Sequence, residues 1–192
     1  MPQIGVKWFA AAAALFFLVF VASVLFCNEQ EEIHKKLIRG LSMALLLSYL
    51  FLLIIMLVIN RESFENGHIL PPFYSYRRML SNTNTGKEWR FLALFNVMLF
   101  VPFGFFLGFA QITSMWKSEE IKNKRTVKTV VLSSALSGFL ASLLIEVLQF
   151  ALKRGVFEFD DLLHNTMGVI VGTSLFFVIN KTIMVLSERK IH

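Results

Sequence analysis

Apolar residues gather into five runs, roughly Trp8–Phe26, Leu41–Ile59, Phe91–Met115, Thr129–Ala151 and Leu162–Leu186. Each is near or above the ~18–20 residues a helix needs to cross the hydrocarbon core of a bilayer. Backbone groups find no water there, so self-satisfied helices are the form such runs take. The pattern predicts an all-α, polytopic membrane bundle of about five transmembrane helices. Trp8, Trp89 and Trp116 all fall at segment ends, where amphipathic rings prefer the interface. Composition agrees. Of 192 residues, 56% are hydrophobic, and the mean hydropathy of +0.64 exceeds that of ordinary soluble domains.

No linker, internal repeat or low-complexity stretch divides the chain, so 1–192 reads as a single integral membrane domain. The first run is longer than the ~7–15-residue core of a cleaved leader. Bulky Phe26 before Cys27 also argues against lipoprotein processing, so a retained helix is expected. Cys27 is the sole cysteine, which rules out an intrachain disulfide.

The formal net charge of +6 describes Lys and Arg in the loops beside an anionic leaflet, not a nucleic-acid-binding surface. With five spans, eight Lys and Arg fall on the side of the N-terminus and eleven on the other. The densest short cluster is Lys117–Lys128 in loop three. Positive residues in short loops stay cytoplasmic. The N-terminus is therefore expected outside and the C-terminus inside. Loop one carries Glu31–Lys35 and Glu32–Lys36 pairs at i,i+4, which suits a solvated helical cap.

Polar residues within the apolar runs are costly and informative. A centrally placed Asp costs roughly 2.5–3.5 kcal/mol on insertion scales, so such groups face a partner, a wet cavity or a ligand. On the fourth run, Ser134, Gly138, Ser142 and Glu146 recur every four residues, with Gln149 on the same face. On the fifth, Asp161, Asn165, Gly168 and Gly172 make a second stripe. The short loop between them makes these helices antiparallel neighbours whose stripes are expected to face each other. Asn96, Phe100, Gly104 and Gly108 line a third stripe, with Pro102 expected to kink that helix. Asn96, Glu146 and Asn165 each lie about one turn from the same membrane side, at a common depth given ~1.5 Å per residue. Loops two and four lie on this side and add Arg77, Arg78, Arg90, Arg154, Glu158 and Asp160. A polar mouth is expected there.

Three blocks in this order resemble the VanZ-like family of small bacterial membrane proteins: NVMLFVPFG (Asn96–Gly104), SLLIEVLQ (Ser142–Gln149) and RGVFEFDDLLHNTMGVIVG (Arg154–Gly172). They span about 91–172. The family often has an Asn-Leu-Ile-Pro-Phe-like element earlier, where Ile69–Phe73 here reads ILPPF without the Asn. The resemblance implies Asn96, Glu146, Gln149, Arg154, Asp160, Asp161 and Asn165 as motif positions. It also implies a link to a name-giving member associated with reduced susceptibility to the glycopeptide teicoplanin.

Two functional readings lead. In the first, the mouth binds or modulates an amphipathic envelope molecule: a lipid headgroup, a lipid-linked cell-wall precursor or a lipoglycopeptide. Arg154 with Arg77 or Arg78 would hold a phosphate or carboxylate. Glu146, Asp161 and the carboxamides would read hydroxyl or amide groups. In the second, the chain is an intramembrane hydrolase or transferase acting on a lipid headgroup. A buried Glu146 and a more exposed Asp160 or Asp161 would divide acid and base roles. A carrier is less supported, since no inverted repeat or broken-helix pair is evident. No cofactor or metal is expected. His34, His68 and His192 are scattered, and Asp160 and Asp161 beside His164 read as N-terminal caps of the fifth helix.

Overall fold

The structure, a computed structural model, describes residues 32–61, 69–115 and 124–188. Helix α1 spans Glu32–Ile54 and continues through a π-helical turn, Ile55–Ile59. Strand β1 (Ile69–Leu70) and the short helix α2 (Tyr74–Met79) follow. Then come α3 (Asn84–Ser114), α4 (Lys124–Ala151), β2 (Phe157–Glu158) and α5 (Phe159–Glu188). Four stretches are long and apolar enough to cross a membrane: Lys36–Ile59, Asn84–Ser114, Thr126–Ala151 and Phe159–Thr182. The chain is thus a helical membrane bundle. The expected first span, Trp8–Phe26, lies outside the described residues, as do Cys27, Trp116, His68 and His192.

The helices outrun the apolar runs. α1 begins at Glu32 rather than Leu41, because Glu and Lys are good helix formers and carry the helix past the hydrocarbon. Loop one's expected cap is therefore the first part of α1. α3 begins at Asn84 rather than Phe91, where the Thr83 hydroxyl accepts the Gly86 N–H at 3.4 Å.

The tightest crossing is between α3 and α5. A Cβ on Gly172 would sit 1.9 Å from the Val101 carbonyl oxygen, and one on Gly168 2.2 Å from that of Val97. Gly104 meets the Val169 backbone from the other side at 2.1 Å. Small residues let membrane helices approach to backbone contact. This corrects the expectation that Gly168 and Gly172 face α4. The stripe on α5 is shared between two neighbours. Its glycines face α3, while Asn165 donates to the Ser142 hydroxyl of α4 at 2.8 Å. Gly138 of α4 receives the Val169 side chain.

Around this crossing lie the buried rings of Phe100, Phe103, Phe105, Phe106, Phe109 and Phe176. α3 runs as one helix through Pro102. Two hydroxyls bond backbone carbonyls beside the proline: Tyr49 of α1 to Leu99 and Thr173 of α5 to Gly104, both at 2.8 Å. Such bonds from neighbouring helices are how proline is accommodated in a bilayer. Toward the other end, Ser42 pairs with Thr113 at 2.9 Å, and Gln111 donates to Ser134 at 3.2 Å.

Candidate functional site

The end of α1, the start of α3, the end of α4 and the start of α5 meet at one end of the bundle. Two loops cross that end and are bonded to each other. β1 pairs with β2 in parallel, Ile69 opposite Phe157 and Leu70 opposite Glu158. Gly155, at φ +152°, turns the chain into β2 against the Arg61 side chain.

Asp160 fastens the second connection. Its Oδ1 accepts the Phe73 N–H at 2.7 Å and its Oδ2 the Ser75 N–H at 2.8 Å. These are the free donors at the start of α2. Phe73 is held at φ 64°, a left-handed conformation that costs a non-glycine residue roughly 1–3 kcal/mol. The charge-assisted bonds to Asp160 offset that cost. Asp160 therefore caps α2, not its own helix as the sequence suggested.

Three more polar residues tie loops to helices. Glu146 accepts the Glu158 backbone N–H at 2.9 Å. Gln149 donates to the Leu57 carbonyl in the π-helical turn at 2.8 Å. Arg154 donates to the carbonyls of Ile59 at 2.6 Å and Arg61 at 3.4 Å.

Above these anchors lies a small cavity of about 40 Å3, lined by Arg61, Ser75, Met79, Trp89, Leu92, Ala93, Asn96, Glu158, Asp161 and His164. That is room for a few waters or one small polar group. Arg61 supplies positive charge to it, and Glu158 and Asp161 negative. Ser75 donates weakly to Glu158 at 3.5 Å. The His164 ring lies 5.4 Å from the Tyr76 ring, and its Nδ1 is 3.8 Å from Asp161 Oδ1. Burial first and then Asp161 push the Glu158 carboxyl up to about 7, against the opposing pull of Arg61. Among the described residues, no group of three His, Cys, Asp or Glu side chains could hold a metal ion.

Of the candidates named from sequence, Asn96 and Asp161 line the cavity. Glu146, Gln149, Asp160 and Arg154 do not line it and are engaged with backbone groups. Asn165 lies deeper, on Ser142. Arg77 and Arg78 are exposed on α2, and Arg78 bonds the Tyr74 hydroxyl at 2.9 Å. Arg90 bonds the Met79 carbonyl. The expected contrast between a buried Glu146 and exposed aspartates is absent: Glu146 is 1% exposed, Asp160 2% and Asp161 7%.

Arg61, Ser75, Trp89 and His164 are not among the site candidates, and Glu158 is expected at the polar mouth but not as a ligand contact. One signal for Trp89 was available. Trp89, Leu92, Ala93 and Asn96 share a helical face at spacings of three and four. No local pattern marks Arg61 or Ser75, which reach the site through loop two.

Fold and site together define a polytopic helical membrane protein with a buried polar site at one end of its bundle. The VanZ/LLP1 family model matches residues 8–180, and the chain belongs to this VanZ-like family. No curated protein and no solved structure matches it.

Proposed function

We propose that this protein binds the polar head of an amphipathic envelope molecule in the cavity at the end of its bundle. The molecule's apolar part stays in the surrounding lipid. A lipid headgroup, a lipid-linked cell-wall precursor and a lipoglycopeptide all have this form, and a role in glycopeptide susceptibility follows from such binding. The observation that carries the reading is the cavity itself. Arg61, Asn96, Glu158, Asp161 and His164 converge from loops and helices beside Trp89 and Leu92. Polar groups at this depth point to a ligand or a pathway. Asp160, Glu146, Gln149 and Arg154 act as positioning residues. The cavity lies at the end of the bundle away from Ser114 and Lys124; read with the basic cluster Lys117–Lys128 of the sequence, this supports an outward-facing cavity in a bacterial cell membrane, with the N-terminus outside and the C-terminus inside.

A second reading, an intramembrane hydrolase or transferase, draws on Glu158 and Asp161 facing one cavity, with Glu158 titrating near neutrality. One experiment separates the two. Wild type, Asn96→Leu, Glu146→Gln and Arg154→Ala are expressed at matched membrane levels. Susceptibility to lipid-bearing and lipid-free glycopeptides is measured, and extracted envelope lipids are profiled. Binding predicts altered susceptibility with no covalent change in any lipid. A new headgroup species that disappears in Glu146→Gln means catalysis. Identical behaviour of all four strains overturns both readings.

A further inference from the structure

The unmatched groups in the cavity narrow its ligand. His164 is 5% exposed, lines the cavity, and its Nδ1 has no hydrogen-bond partner. Its distance of 3.8 Å from Asp161 Oδ1 is too long for a direct bond. A donor placed between the two would satisfy both. Glu158 faces the same space.

The charges point the same way. Asp160 is matched by two backbone N–H groups. Arg61 is the cation acting on Glu146 and Glu158. Asp161 lines the same cavity, 3.8 Å from His164 Nδ1. It raises the Glu158 carboxyl by repulsion. The cavity lining sets two carboxylates, Glu158 and Asp161, against the single guanidinium of Arg61, so an anionic group entering here meets an excess of negative charge. A cation relieves it.

We propose that the cavity holds a primary ammonium group, the head of an amine-bearing envelope lipid. This rests on the headgroup-binding reading above. An ammonium carries three N–H donors, and Glu158, Asp161 and the His164 Nδ1 are three acceptors around one space. Trp89 lines the cavity and brings an aromatic ring beside the cation. Met79, Leu92 and Ala93 give the adjoining methylenes an apolar wall. Arg77 and Arg78 are exposed on α2, the helix that supplies Ser75 and Met79 to the lining, and give a lipid phosphate outside the cavity positive charge to meet. A trimethylated ammonium has the charge but neither the donors nor the small size.

The test uses the full chain in detergent, with native mass spectrometry to read bound lipid. The probes are phosphatidylethanolamine, lysyl-phosphatidylglycerol, phosphatidylcholine and phosphatidylglycerol at equal concentration, with free ethanolamine as a separate competitor. At least one of the two primary-amine lipids should be retained tenfold or more over both others. Retention of phosphatidylethanolamine alone assigns an ethanolamine head; retention of both assigns any primary ammonium. Displacement by free ethanolamine at low concentration would mean that the amine suffices without its lipid. Asp161→Asn should abolish the preference, and Trp89→Leu, which leaves the buried carboxylates in place, should reduce it several-fold. Equal retention of phosphatidylglycerol and phosphatidylethanolamine, lost in Asn96→Leu, overturns the ammonium assignment and leaves headgroup binding standing. Retention that no variant changes overturns both.

Discussion

The Asp160 carboxylate, in the first turn of α5, accepts the backbone N–H of Ser75 at 2.8 Å from 85 residues away in sequence. Together with its bond to Phe73, this contact docks loop two over the bundle and closes one wall of the cavity. Asp160→Asn retains one acceptor and loses the charge, so α2 docking should weaken by about 2 kcal/mol. Hydrogen exchange at the Phe73 and Ser75 amides should accelerate while exchange in α3 and α5 stays slow. Unchanged protection at both amides would show that α2 is held by something else.

The α3–α5 crossing depends on the absence of side chains. At Gly172 an added methyl would meet the Val101 carbonyl, whereas at Gly40 of α1 it would meet nothing within 4 Å. Gly172→Ala should cost about 2–3 kcal/mol by forcing the helices apart. Gly40→Ala should be neutral or stabilising by up to ~1 kcal/mol through helix propensity. Thermal unfolding of both variants in one detergent makes the comparison, and equal effects would contradict backbone contact at Gly172.

Ser142 and Asn165 join α4 to α5 inside the bundle, and the Asn165 Oδ1 has no hydrogen-bond partner. Ser142→Ala strands the carboxamide and should cost about 1–2 kcal/mol. Combining it with Asn165→Leu removes the stranded group, so the double variant should be more stable than the sum of the singles allows. Strict additivity in a double-mutant cycle would mean that the two side chains are not coupled.

Stability should depend on pH through Glu158. Its carboxyl rises from an ordinary 4.5 to about 7 on folding, through burial first and then Asp161, with Asp160 adding and Arg61 and Ser75 opposing. The folded state thus binds the proton more tightly than the unfolded chain. The resulting stabilisation is complete below about pH 4.5 and is lost as pH rises through about 7. Its size is on the order of 2 kcal/mol. Melting temperatures should fall between pH 5 and 8, and Glu158→Gln should flatten that fall. A wild-type slope that persists in the variant would assign the effect to another group.

Much of the site was visible in the amino-acid order. Asn96, Glu146, Gln149, Arg154, Asp160, Asp161 and Asn165 do come to one end of the bundle. The end they occupy follows from counting residues along each apolar helix. Their individual duties did not follow. Asp160 and Arg154 look alike as ligand contacts until their oxygens and nitrogens are seen engaged with loop backbone. His164, in the sequence only a neighbour of two capping aspartates, lines the cavity with its Nδ1 unmatched.

Hydropathy alone establishes that this chain is a helical membrane bundle, where its described spans lie, and which polar residues lie toward the same end. Each of those is a property of a single helix in hydrocarbon. Which helices touch, which stripe meets which neighbour, and how loop two folds back onto α5 emerged only with the three-dimensional arrangement. Azimuth around a helix axis is set by several helices packing at once, and a contact such as Ser75 to Asp160 leaves no periodic trace along the chain.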